Sequence, residues 1–388
     1  VAAVQDPELC LLDLRLRRAV FRINRMGLPV VKSGQVAAVF PLTVDGESGA
    51  ARFFTAPTEQ SRRYAQLDAF LGQHPCPLFV TAEWVARAVA LGDGVYPAVL
   101  MPWVPGLTLT AFVEEAIEDR DTARLNDLST KWLTAADVLT SSTIVHGDLQ
   151  HGNVLVDESL TIRLIDYDGV WVPGLDRHNN EVGHLNYQHP QRLELDESLV
   201  QADAFSAFVI YLSLRATAAD PSLWDEFNGG ENMLFMHDDF VDAGRRERKI
   251  WQRLSESAAP DVRTLSATLE ALCRIDVRQI PTVAQLAVHG TAALAGADPY
   301  VPERSSRSAG GQWWQPDGNE TAGAKTADTT GGADGWTSAP YSPSPDDFDP
   351  GGAADGLSPE ARVKRFALFV LALAFVVTAV AVALAAAR

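Results

Sequence analysis

Cysteine is scarce: the 388-residue chain has three, Cys10, Cys76 and Cys273, far apart and with no CxxC or Cys/His spacing. Structural zinc sites draw their ligands from closely spaced pairs, so the pattern excludes such a metal and fits a reducing compartment. Positive charge is short as well, because 32 Lys and Arg face 50 Asp and Glu for a net charge of -18. A protein that grips a nucleic-acid backbone needs clustered cations to displace counterions, and that class is excluded. No period of roughly 20–50 residues repeats, which excludes solenoids and propellers. The opening segment carries Asp6, Glu8 and Asp13 and no apolar run of secretory length, so no signal peptide is expected. Apolar residues are plentiful at 47%, enough for one large core or two modest ones.

Most of the uninterrupted hydrophobicity lies near the C-terminus. Phe366 to Ala387 holds 22 residues without a charge, and Thr378 is its one polar side chain. As a helix it would be about 33 Å long, matching a hydrocarbon core of about 30 Å, and we expect a single transmembrane helix over 366–387. Arg362, Lys364 and Arg365 precede it and Arg388 follows. The positive-inside bias then leaves the bulk of the chain in the cytoplasm, in a tail-anchored topology at the cell membrane. Residues 298–360 are rich in Gly, Ala, Ser, Pro, Thr and Asp without sustained periodicity, and read as a disordered linker. Ser342, Ser344 and Ser358 each precede a proline there and are candidate phosphoacceptors.

Ahead of the linker the chain changes character near residue 105. Apolar β-rich runs such as VVKSGQVAAVFPLTV and YPAVLMPWV come first, interrupted by one helical stretch, Glu59 to Leu71. Longer helical patterns follow, among them Thr122 to Leu139, Asp203 to Ala216 and Val262 to Cys273. The division is an N-terminal extension over 1–24, a small sheet lobe over 25–104 and a larger helical lobe over 105–297.

The richest chemistry sits in His146-Gly147-Asp148-Leu149-Gln150-His151-Gly152-Asn153, followed thirteen residues after Asn153 by Asp166-Tyr167-Asp168-Gly169. Two carboxylates and a carboxamide fall on loops flanking a short β-hairpin, whose strands ValLeuVal and LeuIle would hold them rigidly. Such a trio suits phosphoryl transfer: one Asp orients the attacking hydroxyl and accepts its proton, while Asn and the second Asp hold magnesium on the phosphates.

This segment resembles the catalytic loop and the metal-binding Asp-Phe-Gly motif of the eukaryotic-like Ser/Thr protein kinase superfamily, as an atypical member with an HGD loop. The resemblance implies an α+β, bilobal protein-kinase-like fold that uses ATP and Mg2+. It makes Asp148 the catalytic base and Asn153 and Asp166 the metal ligands, with Tyr167 in place of Phe. Gly183 to Pro190 resembles the end of an activation loop, and Asp203 opens a helix whose Asp would brace the catalytic loop. Leu100-Met101-Pro102-Trp103-Val104 is similar to the adenine-binding hinge, with Met101 as gatekeeper and Trp103 and Val104 offering backbone groups. Upstream, Gly34 and Val39 match the phosphate-covering loop, and Ala50 and Arg52 match Ala-x-Lys on the third strand.

The departures are specific. Arg52 replaces the phosphate-holding Lys, and Asp68, sixteen residues on, fits the distance of an acidic helix partner better than Glu59. Gly147 stands for the Arg that reads a phosphorylated activation loop, and Gln150 for the Lys that touches the γ-phosphate. Between Asp168 and Pro190 there is no Ser or Thr, which leaves Tyr187 as the only acceptor and argues against activation by loop phosphorylation. Gln191 and Ile280 occupy both positions of an ion pair usual in the family, so the pair has gone as a unit. The expected function is phosphoryl transfer to protein Ser or Thr by a membrane-tethered domain. The alternatives are a pseudokinase or nucleotide-binding scaffold, or a small-molecule phosphotransferase.

Overall fold

Asp45-Gly46 is a hairpin dipeptide, and its two residues take φ of 51° and 92°, the left-handed pair that matches the twist of the flanking strands. The computed structural model describes residues 2–33, 37–54, 59–176, 182–241 and 249–301. In it that turn joins β3 (Ala37–Val44) to β4 (Glu47–Phe54), once β1 (Val20–Phe21) and β2 (Lys32–Ser33) have each paired with β3. A second hairpin, β5 (Glu83–Leu91) and β6 (Gly94–Pro102), completes an antiparallel sheet of order β1-β3-β4-β6-β5.

Register decides what this sheet offers. Val39 pairs with Arg52, Arg52 with Val99 and Ala50 with Met101, so these residues share one face. The alternate residues Phe40, Ala51, Phe53 and Ala98 are buried on the opposite face, in a cluster with Ala3, Val4, Leu11, Leu16 and Ala19. Those last residues belong to α1 (Ala2–Gln5), α2 (Pro7–Cys10), α3 (Leu14–Arg18) and the turns between them. Leu12 N–H donates to Ala88 O at 2.8 Å, and Arg15 bonds Glu83 at 2.7 Å. The segment expected as an N-terminal extension over 1–24 packs, from Ala3 to Phe21, as the outer layer of the sheet lobe, covering Phe40 and Phe53.

Helix α4 (Glu59–Gln73) covers the other face with Tyr64 and Leu67, and the larger lobe begins after β6. There β7 (Leu107–Thr108) leads into α5 (Leu109–Glu118), with the Thr108 hydroxyl accepting from Ala111 N–H as the cap. Helix α6 (Thr122–Ser141) packs on α7 (Val200–Ala219), which is buried nearly all round, in keeping with apolar residues on every face of its sequence. Trp132 places its indole N–H on Ala207 O at 2.9 Å, which satisfies the polar atom of a side chain otherwise committed to the core. Between α6 and α7 lies the hairpin of β8 (Val154–Val156) and β9 (Ile162–Leu164).

The helical lobe runs past the expected boundary at 297. Tyr300 N–H donates to Arg274 O at 2.8 Å, and its hydroxyl reaches Glu194 at 2.8 Å. The rest of the expected linker and the apolar segment 366–387 lie outside the described residues. Among the described residues no helix is long and apolar enough to cross a membrane.

Candidate functional site

The β8–β9 hairpin sets the site. Val154 pairs with Leu164, and one step further Ile165 N–H donates to Asn153 O at 3.0 Å, which brings Asn153 beside the start of Asp166-Tyr167-Asp168. The loop before β8 is braced from below by Asp203 on α7. Its two oxygens accept the backbone N–H of His146 at 2.5 Å and of Gly147 at 3.0 Å. Asp203 is 2% exposed, and that burial pushes its carboxyl up to about 6 against the pull of these bonds. The brace expected from the helix start is thus present.

Gly147 has a structural reason of its own. It takes φ of 79°, and a Cβ there would lie 2.5 Å from Gly169 O. The missing Arg is therefore more than the loss of a phosphate reader, because no side chain fits where the two loops touch. His146 Nε2 donates to Ile165 O at 3.1 Å and its ring stacks with Phe79, which also packs on Tyr167. The Tyr167 hydroxyl accepts Val80 N–H at 2.7 Å, and Leu164 N–H donates to Leu78 O at 2.8 Å. The phenol that replaces Phe thus pins the 166–168 turn to the segment after α4.

Within this frame Asp148 and Asn153 come together. Asp148 Oδ2 accepts from Asn153 Nδ2 at 2.9 Å and from Gln150 Nε2 at 2.8 Å, while Oδ1 accepts His184 N–H at 2.6 Å. Asn153 gives its other amide hydrogen to Asp148 O at 2.9 Å, which leaves the amide oxygen as its ligating atom. Asp166 takes φ of 63°, a strained value for a non-glycine residue, and keeps its side chain 41% exposed. Partial burial, then the charges of Asp168 and Asp148, push its carboxyl up to about 6 against the attraction of Arg52.

Arg52 is held at 2.6 Å by Asp168 and at 3.1 Å by the Tyr64 hydroxyl, with Asp166 at 3.9 Å. Of the two helix carboxylates weighed by spacing, Asp68, the better fit, does not serve Arg52: its Oδ2 accepts Trp84 N–H at 2.9 Å and anchors β5. Sequence spacing gave no signal for Tyr64 or Asp168, because their link to Arg52 is made only in three dimensions. Val39, Ala50 and Met101 lie half-buried on the same sheet face as Arg52. Pro102 has no N–H and Trp103 N–H is committed to Ser48 O at 2.9 Å. The expected hinge donors narrow to Val104, and Trp103 drops out as a backbone donor. Gly34 lies outside the described residues.

Two further expectations meet structure here. Tyr187 is 1% exposed, and its hydroxyl bonds His151 Nδ1 at 2.5 Å and Met233 N–H at 3.0 Å, so it is no acceptor for a phosphate. Gln191 Oε1 accepts Val277 N–H at 3.0 Å, so a neutral bond takes the place of the absent ion pair. Among the described residues no group of three or more His, Cys, Asp or Glu side chains could hold a metal. One carboxamide and one carboxylate remain, a sparse oxygen set that suits a hard cation keeping most of its own waters.

Residues 135–272, which include Asp148, Asn153 and Asp166, match the family described as Haspin like kinase domain. A stretch of 119 residues is 26% identical to "Probable serine/threonine-protein kinase PknB" of Lactococcus lactis subsp. lactis (strain IL1403), over 30% of this chain and 19% of that protein. The chain thus spans about a fifth of the length of that curated relative. A β-sheet lobe followed by a helical lobe is consistent with a kinase-like fold, and residues 135–272 are similar to a kinase domain.

Proposed function

We propose that the domain transfers the γ-phosphoryl group of ATP to serine or threonine hydroxyls of proteins, with Mg2+. The observation that carries this reading is the joining of Asp148, Asn153 and the Asp166 turn by direct hydrogen bonds at one end of a single hairpin. Asp148 orients the incoming hydroxyl and takes its proton, and Asn153 Oδ1 and Asp166 are the residues that would hold magnesium. Burial first, and then the charges of Asp168 and Asp148, disfavour an ionised Asp166, so that carboxylate would gain from a nearby cation, in support of this reading. When bound, that ion neutralises charge on the phosphates during transfer. Arg52 faces the phosphates, and Val39, Ala50, Met101 and Val104 accommodate the adenine. By the sequence pattern alone, the segment 366–387 anchors the domain at the cytoplasmic face of a membrane. The linker serines are then its first substrates, because a tether raises their effective concentration at the site.

One observation favours a second reading, a nucleotide-binding module without transfer. Both oxygens of Asp148 already accept N–H donors, from His184, Gln150 and Asn153, which weakens it as a proton acceptor. The two readings separate when the full chain in detergent is incubated with γ-labelled ATP, Mg2+ and a generic protein substrate beside an Asp148→Ala control. Label transfer lost in the control supports the kinase reading. A nucleotide-dependent rise in melting temperature without label supports the module, and neither effect refutes both.

A further inference from the structure

Tyr64 of helix α4 brings no charge to Arg52, yet the guanidinium is among the most closely held groups of the cleft. Arg52 Nη2 donates to Asp168 Oδ2 at 2.6 Å and Nη1 to the Tyr64 hydroxyl at 3.1 Å. That hydroxyl donates in turn to Asp168 Oδ1 at 2.9 Å, so the three groups close a ring of bonds. The guanidinium carbon lies 5.3 Å from the Tyr64 ring centre and 5.7 Å from that of Phe54, which adds cation–π attraction. One residue earlier Arg63 donates to Val170 O at 3.0 Å, so two consecutive residues of α4 bind the 168–170 segment.

We infer that Tyr64, acting with Asp168, is the positioning residue that sets Arg52 for a nucleotide's phosphates, an assignment that rests on the phosphoryl-transfer reading and deepens it. Two residues divide the work of one helix carboxylate: Asp168 supplies the counter-charge and Tyr64 the direction. The phenol accepts from Arg52 and donates to Asp168, so loss of its hydroxyl breaks both bonds and leaves the cation free to swing. The same geometry accounts for Arg at position 52. Its contacts use two nitrogens of a planar fork aimed at different partners, with Asp166 a further 3.9 Å from Nη1, and one ammonium nitrogen cannot serve them together.

Tyr64→Phe keeps the ring and removes only the hydroxyl. In the full chain, calorimetric titration with ATP and Mg2+ should show roughly tenfold weaker binding, with KM for ATP rising in step and kcat falling less, the mark of lost binding common to ground and transition states. Arg52→Lys should show a defect of the same order, and Tyr64→Phe should add less than about twofold in an Asp168→Asn background, because both act through one ring of bonds. Melting without nucleotide separates binding from folding, and if Tyr64→Phe melts well below the parent, the Arg52→Lys arm decides. Unchanged ATP affinity in a folded Tyr64→Phe or in Arg52→Lys overturns the assignment and leaves the phosphoryl-transfer reading standing. A parent chain that binds no ATP overturns that reading and the assignment with it.

Discussion

Replacing Gly147 by alanine tests whether the HGD loop is a packing requirement. The backbone there takes φ of 79°, and the new Cβ would sit 2.5 Å from Gly169 O. The left-handed conformation costs a residue with a Cβ about 1–2 kcal/mol. Overlap with a backbone carbonyl, which no rotamer change relieves, adds about 1–3 kcal/mol. Movement is resisted because Gly147 N–H is tied to the buried Asp203 and Gly169 precedes the Val170 held by Arg63. The expected loss is about 2–5 kcal/mol, read as a fall in melting temperature of roughly 5–15 °C by circular dichroism without nucleotide. Gly72→Ala on α4 is the control: its Cβ meets nothing within 4 Å, and it should be neutral or stabilising by up to about 1 kcal/mol. Gly147→Arg, which restores the residue usual in the resembled superfamily, should be at least as damaging as alanine. A loss below about 1 kcal/mol for Gly147→Ala would refute the packing argument.

His189 donates Nε2–H to Leu272 O and accepts Gln191 N–H on Nδ1, so it is built for the neutral ring, and burial lowers its pKa from 6.5 to about 4. Its folded pKa lies below the unfolded one, so its contribution is whole above pH 6.5 and lost as pH falls to about 4, amounting to about 3 kcal/mol. Urea unfolding of His189→Gln should therefore show a flatter decline between those pH values than the parent does, and parallel curves would contradict this. Tyr167→Phe restores the usual aromatic residue but strands the Val80 N–H that donates to the phenol at 2.7 Å, and denaturation should report a loss of about 1–3 kcal/mol. After incubation with ATP and Mg2+, phosphopeptide mapping should find no phosphate on Tyr187, whose hydroxyl is buried between His151 and Met233.

The candidate site was legible wherever covalent spacing and short hairpins determine position. The loops of Asp148, Asn153 and Asp166 come together because one hairpin of three-residue strands leaves them little choice, and the brace from Asp203 was implied by the resemblance, although the helix begins three residues earlier, at Val200. What stayed hidden was made by tertiary contact. Asp68 has the right separation from Arg52, but the turn of α4 and the register of β5 deliver it to Trp84 N–H and deliver Tyr64 to Arg52. The N-terminal layer stayed hidden for another reason: helices of four or five residues have too few turns to show a period, and Leu11 and Leu16 declare themselves only against Phe40 and Phe53.

The departures from the kinase pattern come in mutually adjusted sets. Arg52 would be a badly placed cation beside a helix whose Asp68 is committed to Trp84 N–H, but Asp168 and Tyr64 absorb it. Gly147 would be a gap in a phosphate-reading pocket, but Gly169 fills the space its side chain would need. Gln191 would be an orphan of a lost ion pair, but Val277 N–H takes its amide oxygen while Ile280 is buried as an apolar residue. A buried charge stripped of its partner costs about 3–5 kcal/mol, so losing these partners one at a time would be expensive. Asp166, by contrast, keeps its side chain 41% exposed and is held in a strained conformation whose charge burial and the neighbouring carboxylates disfavour. Stability alone would favour replacing Asp166 with a residue that relieves both penalties, so its presence in an otherwise adjusted frame supports the proposed phosphoryl-transfer reading over a purely structural one.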